Sequence, residues 1–72
     1  MVQTERSVEE RRVLEALARL EESDRVATLH AIAIESGVDM AVVHALVNAL
    51  FANGDVTPQL TLTEKGRKAL GR

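Results

Sequence analysis

The sequence predicts a mainly α-helical domain with a small β-hairpin: a three-helix bundle, a short hairpin and a C-terminal helical turn. Three observations predict it. Val13, Leu14, Leu17 and Leu20, and later Val43, Leu46, Val47 and Leu50, recur at the spacing of one helix face. A side chain suited to capping precedes each run of helical pattern. Past Gly54 the period shortens from about 3.6 residues toward about 2, as it does where a helix gives way to a strand.

The elements follow in order within a single domain spanning residues 1–72. The first helix occupies residues 6–22, with its body from about Val8 to Glu22. Ser7 and Glu10 form a capping box in which each side chain satisfies the other's backbone N–H. Glu15 and Arg19 stand four apart on the polar side, a favourable ion-pair spacing. Ser23 to Ala27 connect, with a short extended stretch at Arg25-Val26-Ala27. The second helix covers residues 28–36, capped by Thr28, with Leu29, Ile32 and Ala33 on one face. Gly37 ends it, because a residue without Cβ enters the left-handed region at least cost. Asp39 caps the third helix, residues 39–53, and Gly54 closes it. In residues 55–62, Val56, Leu60 and Leu62 alternate with Thr57, Gln59 and Thr61 around Pro58, the pattern of two short strands in a hairpin. Thr63 then caps a last helix over residues 63–70.

Composition narrows the function. The chain is 46% hydrophobic and 28% charged, which suits a folded domain and neither a disordered nor a fibrous one. Without Cys there is no disulfide and no thiolate zinc site. No apolar run approaches the roughly 20 residues of a membrane span, and the start lacks the layout of a signal peptide, so a cytoplasmic protein is expected. An enzyme is not expected. There is no Cys nucleophile, no Gly-rich phosphate loop, and Ser7, Ser23 and Ser36 all fall at caps or turns. His30 and His44 lack further ligands at workable spacing, so neither metal nor cofactor is expected.

The most informative stretch joins the second and third helices. Ala33 where two helices would cross, Gly37 at the turn and Val43 beyond it meet the demands of a helix–turn–helix, with Ile32, Val38 and Leu46 in the remaining buried positions. With Val43 to Val56 reading as a recognition helix entering a strand, and Leu62-Thr63-Glu64-Lys65-Gly66-Arg67 matching an L-T-x-x-G-R run, the chain resembles the winged helix-turn-helix family of small transcriptional regulators. The resemblance covers about Ser7 to Leu70. It implies double-stranded DNA as partner, with the third helix in the major groove. Met40, Ala41, His44, Ala45 and Asn48 would then face the bases, Thr28 would contact a phosphate and Gln59 would lie at the wing tip.

A small DNA-binding transcriptional regulator of winged-helix type is therefore the leading expectation, although the charge pattern departs from that family. The net charge is −2, and from Val26 to Glu64 there is no Lys or Arg. Non-specific DNA affinity comes mainly from cations at phosphates. Two alternatives follow. Lys65, Arg67 and Lys68 near the C-terminus would provide a backbone contact outside that window. Otherwise the third helix serves a protein partner or a homodimer rather than DNA. Ile34, Met40 and Phe51 fall off the core stripes and are candidates for such an apolar partner surface. Phe51, the single aromatic residue, has the core of a small fold as its other home.

Overall fold

Helix α1 (Val8–Glu22) turns one face fully inward: Val13, Leu14, Ala16, Leu17, Ala18 and Leu20 are all buried. The structure, a computed structural model, describes residues 8–71; Ser7 of the expected capping box, Arg6 and Arg72 lie outside them. The helix ends in a Schellman arrangement. Asp24 takes the left-handed conformation (φ 57), its N–H donates to the Glu21 carbonyl (3.1 Å), and the Arg25 N–H donates to the Leu20 carbonyl (2.9 Å). Asp tolerates this conformation better than most side chains, so no glycine is needed.

Thr28 caps α2 (Leu29–Ser36) by accepting from the Ala31 N–H at 3.0 Å. Gly37 (φ 71) closes the helix, its N–H donating to the Ala33 carbonyl at 2.9 Å. Asp39 then caps α3 (Met40–Ala52), one carboxylate oxygen accepting from the Ala41 N–H at 3.0 Å. Gly54 (φ 82) repeats the left-handed closure at the far end, with the Asp55 N–H on the Leu50 carbonyl at 2.8 Å. Thr63 caps the short α4 (Glu64–Ala69) by accepting from the Gly66 N–H at 3.1 Å.

Helix α1 packs against both α2 and α3, which pack against each other. The core between them comprises Leu14, Leu17, Leu20, Ile32, Val43 and Leu50, with Val38, Val47, Val56 and Leu62 at its margin. Leu29 and Leu46, expected inside, are only partly buried against it. Burying one such aliphatic side chain contributes about 1.5–3 kcal/mol, so this set carries most of the favourable energy of a small fold.

The expected winged helix-turn-helix architecture is corrected here. The described residues form four helices and no β-strand, so there is no hairpin wing. Residues 55–62 hold a single antiparallel bridge, between Val56 and Leu62. The reason is local. Thr57 Oγ1 accepts from the backbone N–H groups of Gln59 (3.2 Å) and Thr61 (3.3 Å), the Leu60 N–H donates to the Thr57 carbonyl, and Leu60 itself sits at φ 62. A Thr side chain that captures nearby backbone donors offers the chain a turn in place of a ladder, and Pro58 supplies no donor of its own. No strand forms at Arg25-Val26-Ala27 either.

Two further expectations change. Glu15 pairs with Arg11 (3.6 Å), and Arg19 reaches across to Glu35 on α2 (3.3 Å), so the Glu15–Arg19 pair does not form. Phe51 is not taken into the core; it is 51% exposed. The buried face of α3 is already filled by Val43, Val47 and Leu50, and Phe51 lies beside that arc rather than within it.

Candidate functional site

The outer face of α3 is the candidate site. Nine of its thirteen residues are exposed, namely Met40, Ala41, Val42, His44, Ala45, Asn48, Ala49, Phe51 and Ala52, and none carries a formal charge at neutral pH with His neutral. His44 and Asn48 are its only polar side chains, one turn apart, and neither bonds to another described residue. The exposed large apolar side chains of α3 are Met40 and Val42, each 41% exposed, and Phe51 at 51%, with Val42 half a turn round the helix from Phe51; Ile34 on the preceding helix is 69% exposed. Large exposed apolar side chains grouped on one element are what a docking surface shows.

The other expected contact residues lie on different elements. Thr28 Oγ1 is engaged as the cap of α2. Gln59 is exposed in the loop after Pro58, but no wing carries it outward. At the N-terminus of α3 the Asp39 carboxylate already satisfies an amide, which places a negative charge where a phosphate would approach. Helices α2 and α3, joined by Gly37, Val38 and Asp39, are bent by 109°, within the range that helix–turn–helix pairs adopt.

Most of the cations near the fold's other faces are engaged within the molecule. Arg19 and Arg25 close on Glu35, at 3.3 and 2.8 Å. Arg67 bonds Glu21 at 2.9 Å, while the other oxygen of that carboxylate accepts from the Leu62 N–H at 2.7 Å. Lys65 Nζ donates to the Asn53 carbonyl at the C-terminal end of α3. Lys68 is exposed. The charge pattern of the sequence singles out neither Glu21 nor Glu35. A signal existed for Glu21: it follows Leu14 and Leu17 at i+7 and i+4, so a carboxylate falls on the core stripe.

One open depression of about 220 Å³, lined by Ala18, Glu21, Glu22, Leu62 and Arg67, adjoins that carboxylate. It is smaller than the roughly 300–1,000 Å³ of ordinary ligand sites. Among the described residues no three His, Asp or Glu side chains converge to hold a metal ion. No single described helix is long and apolar enough to cross a membrane; α2 and α3 reach that length only together, across their bend. No family model, curated protein or solved structure matches the chain, so the reading of this face rests on its own chemistry.

Proposed function

We propose that this chain is a protein-interaction module whose docking surface is the outer face of α3. The observation that carries this is the combination, on one helix, of exposed Met40, Val42 and Phe51 with no charged residue among thirteen. Interface centres are depleted in charge and enriched in aromatic residues and Met, whereas DNA-binding faces are rich in Lys and Arg. Met40→Glu tests the reading: partner binding or self-association is lost while helicity by circular dichroism is retained. Binding unaffected by a carboxylate at this position overturns it.

A second reading is favoured by the 109° bend between α2 and α3. In it the chain is a small DNA-binding transcriptional regulator, with His44 and Asn48 at base edges and Lys65, Arg67 and Lys68 at the backbone. Titration of a mixed-sequence duplex at low and moderate salt, followed through backbone amide shifts, separates the two. Salt-sensitive shifts at Thr28, Met40 to Asn48 and Gln59 support the DNA reading and displace the first. No shifts at low salt leave α3 to a protein.

A further inference from the structure

We infer that Asn53 is a site of spontaneous covalent modification, in which its side-chain amide becomes a carboxylate at a rate set by how firmly the start of α4 holds the turn. This goes beyond the docking reading and does not rest on it. Asn53 and Gly54 form the only Asn-Gly pair in the sequence. They stand exposed at the C-terminal end of α3, with Asn53 as C-cap and Gly54 in the left-handed conformation (φ 82). A side chain following Asn would shield the peptide nitrogen between them, and glycine has none. Even a Cβ built on Gly54 would meet nothing within 4 Å, so water has free access from that side.

In the reaction the Gly54 nitrogen gives up its proton to solvent base and bonds to Cγ of Asn53. The Cγ–N bond of the side-chain amide breaks, and its nitrogen leaves as ammonia after taking a proton from water. The five-membered imide that remains is opened by water at either carbonyl. One opening gives an aspartyl residue; the other gives an isoaspartyl linkage, in which the backbone runs through the side chain and is one carbon longer. Nothing is oxidised or reduced, and the net change is one water consumed and one ammonia released.

The native turn holds this step back. With ψ −6 at Asn53, the Gly54 nitrogen eclipses the backbone nitrogen of Asn53, whereas ring closure needs it eclipsed with Cβ. The Gly54 N–H is itself engaged, donating to the Phe51 carbonyl at 3.1 Å. Three successive carbonyls are then held by the start of α4. The Lys65 ammonium donates to that of Asn53, the Thr63 hydroxyl to that of Gly54 (2.6 Å), and the Thr63 N–H to that of Asp55 (2.9 Å). Rotation about ψ of Asn53 swings its carbonyl away from Lys65, so this contact must break before the ring can close. Local opening of the turn, short of global unfolding, is therefore the gate. The product places a carboxylate four residues past exposed Ala49, on the same stripe of a helix face that otherwise carries no charge.

The full chain, incubated at mildly alkaline pH both folded and in urea and followed by fragment-ion mass spectrometry, tests this. Fragment ions separate Asn53 from Asn48, which lies mid-helix before Ala49 and serves as internal reference. Asn53 should convert in the folded chain while Asn48 does not, at a rate about ten- to a hundredfold below that in urea. Lys65→Met keeps the stem and loses the ammonium. It should raise the folded rate about three- to tenfold, the worth of one hydrogen bond, and leave the rate in urea unchanged. Glu35→Ala, which loosens the contact of α1 with α2, should not accelerate conversion. An amide still intact in the folded chain after on the order of a hundred half-times of the unfolded one overturns the site. Equal rates folded and in urea, or a rate unmoved by Lys65→Met, overturn the gate. So does acceleration by Glu35→Ala as large as that by Lys65→Met, because global unfolding would then be the route.

Discussion

Two sides of this small fold treat their polar groups in opposite ways. Where α1 meets α4 and the loop before it, side chains are tied to distant parts of the chain: Glu21 to Leu62 and Arg67, Lys65 to Asn53, Thr63 to the Gly54 carbonyl. On the outer face of α3, His44 and Asn48 bond to no other described residue, and apolar side chains stand in solvent. The first side is built from groups whose partners are internal. The second is built from groups whose partners would have to come from outside. Such a contrast separates the part of a surface that holds the fold from the part available for recognition. It also explains why a basic count of nine overstates this chain's affinity for phosphate: Arg19, Arg25, Lys65 and Arg67 already have oxygen partners.

The comparison breaks most severely at Gly66. A Cβ there would lie well inside contact distance of the Asp55 carbonyl oxygen, and 3.1 Å from a Leu62 methyl. Backbone cannot yield as a flexible side chain does, so Gly66→Ala should destabilise the fold by about 3 kcal/mol, at the upper end of overpacking costs. Urea denaturation measures it. A loss below about 1 kcal/mol would show that α4 is not closely seated, since overpacking a tight contact costs more than that.

Next comes Glu21. Replacement by Ala leaves the Leu62 N–H without its acceptor in a largely buried position and removes the partner of Arg67. The expected cost is about 2 kcal/mol, the penalty for a stranded donor plus a small ion-pair loss. Glu21→Gln, whose amide oxygen still accepts from Leu62, should recover about half of it. Equal losses in the two variants would mean that charge rather than the backbone bond does the holding.

Glu35 is a weaker tie, because Arg19 and Arg25 are about half exposed. Glu35→Ala should cost at most about 1 kcal/mol. The difference from the parent chain should shrink in 1 M salt, where the Debye length falls to about 3 Å. A salt-independent loss would assign the effect to packing of the Glu35 stem.

The smallest effect on folding is expected on the other side. Phe51→Ser should change the stability of the monomer by no more than about 0.5 kcal/mol, as for exposed positions generally, while association weakens sharply. This outcome, with thermal unfolding read at low micromolar concentration, sharpens the comparison most. A large stability loss would place Phe51 in the fold rather than in recognition.

The sequence by itself determined whatever depends on residues within a few positions of one another. Thr28, Asp39 and Thr63 bond to amides two or three residues on, and Gly37 and Gly54 take the left-handed conformation that ends each helix. The apolar stripe of α1 and the uncharged window over α3 are likewise visible in one dimension. Tertiary structure decided what depends on segments far apart in the chain. Alternating residues around Pro58 suggest strands, but the N–H groups of Gln59, Leu60 and Thr61 bond to Thr57 and that of Leu62 to Glu21. Only the bonds from Thr57 to Thr61 and from Thr63 to Asp55 flank the single bridge, so no ladder extends from it. Glu21 meets Leu62 across forty-one positions, and Arg19 chooses Glu35 over its near neighbour Glu15. Periodicity records which face of a helix turns inward. Which distant group a side chain meets, and whether Phe51 finds room inside, follows only once the helices have crossed and the core has filled.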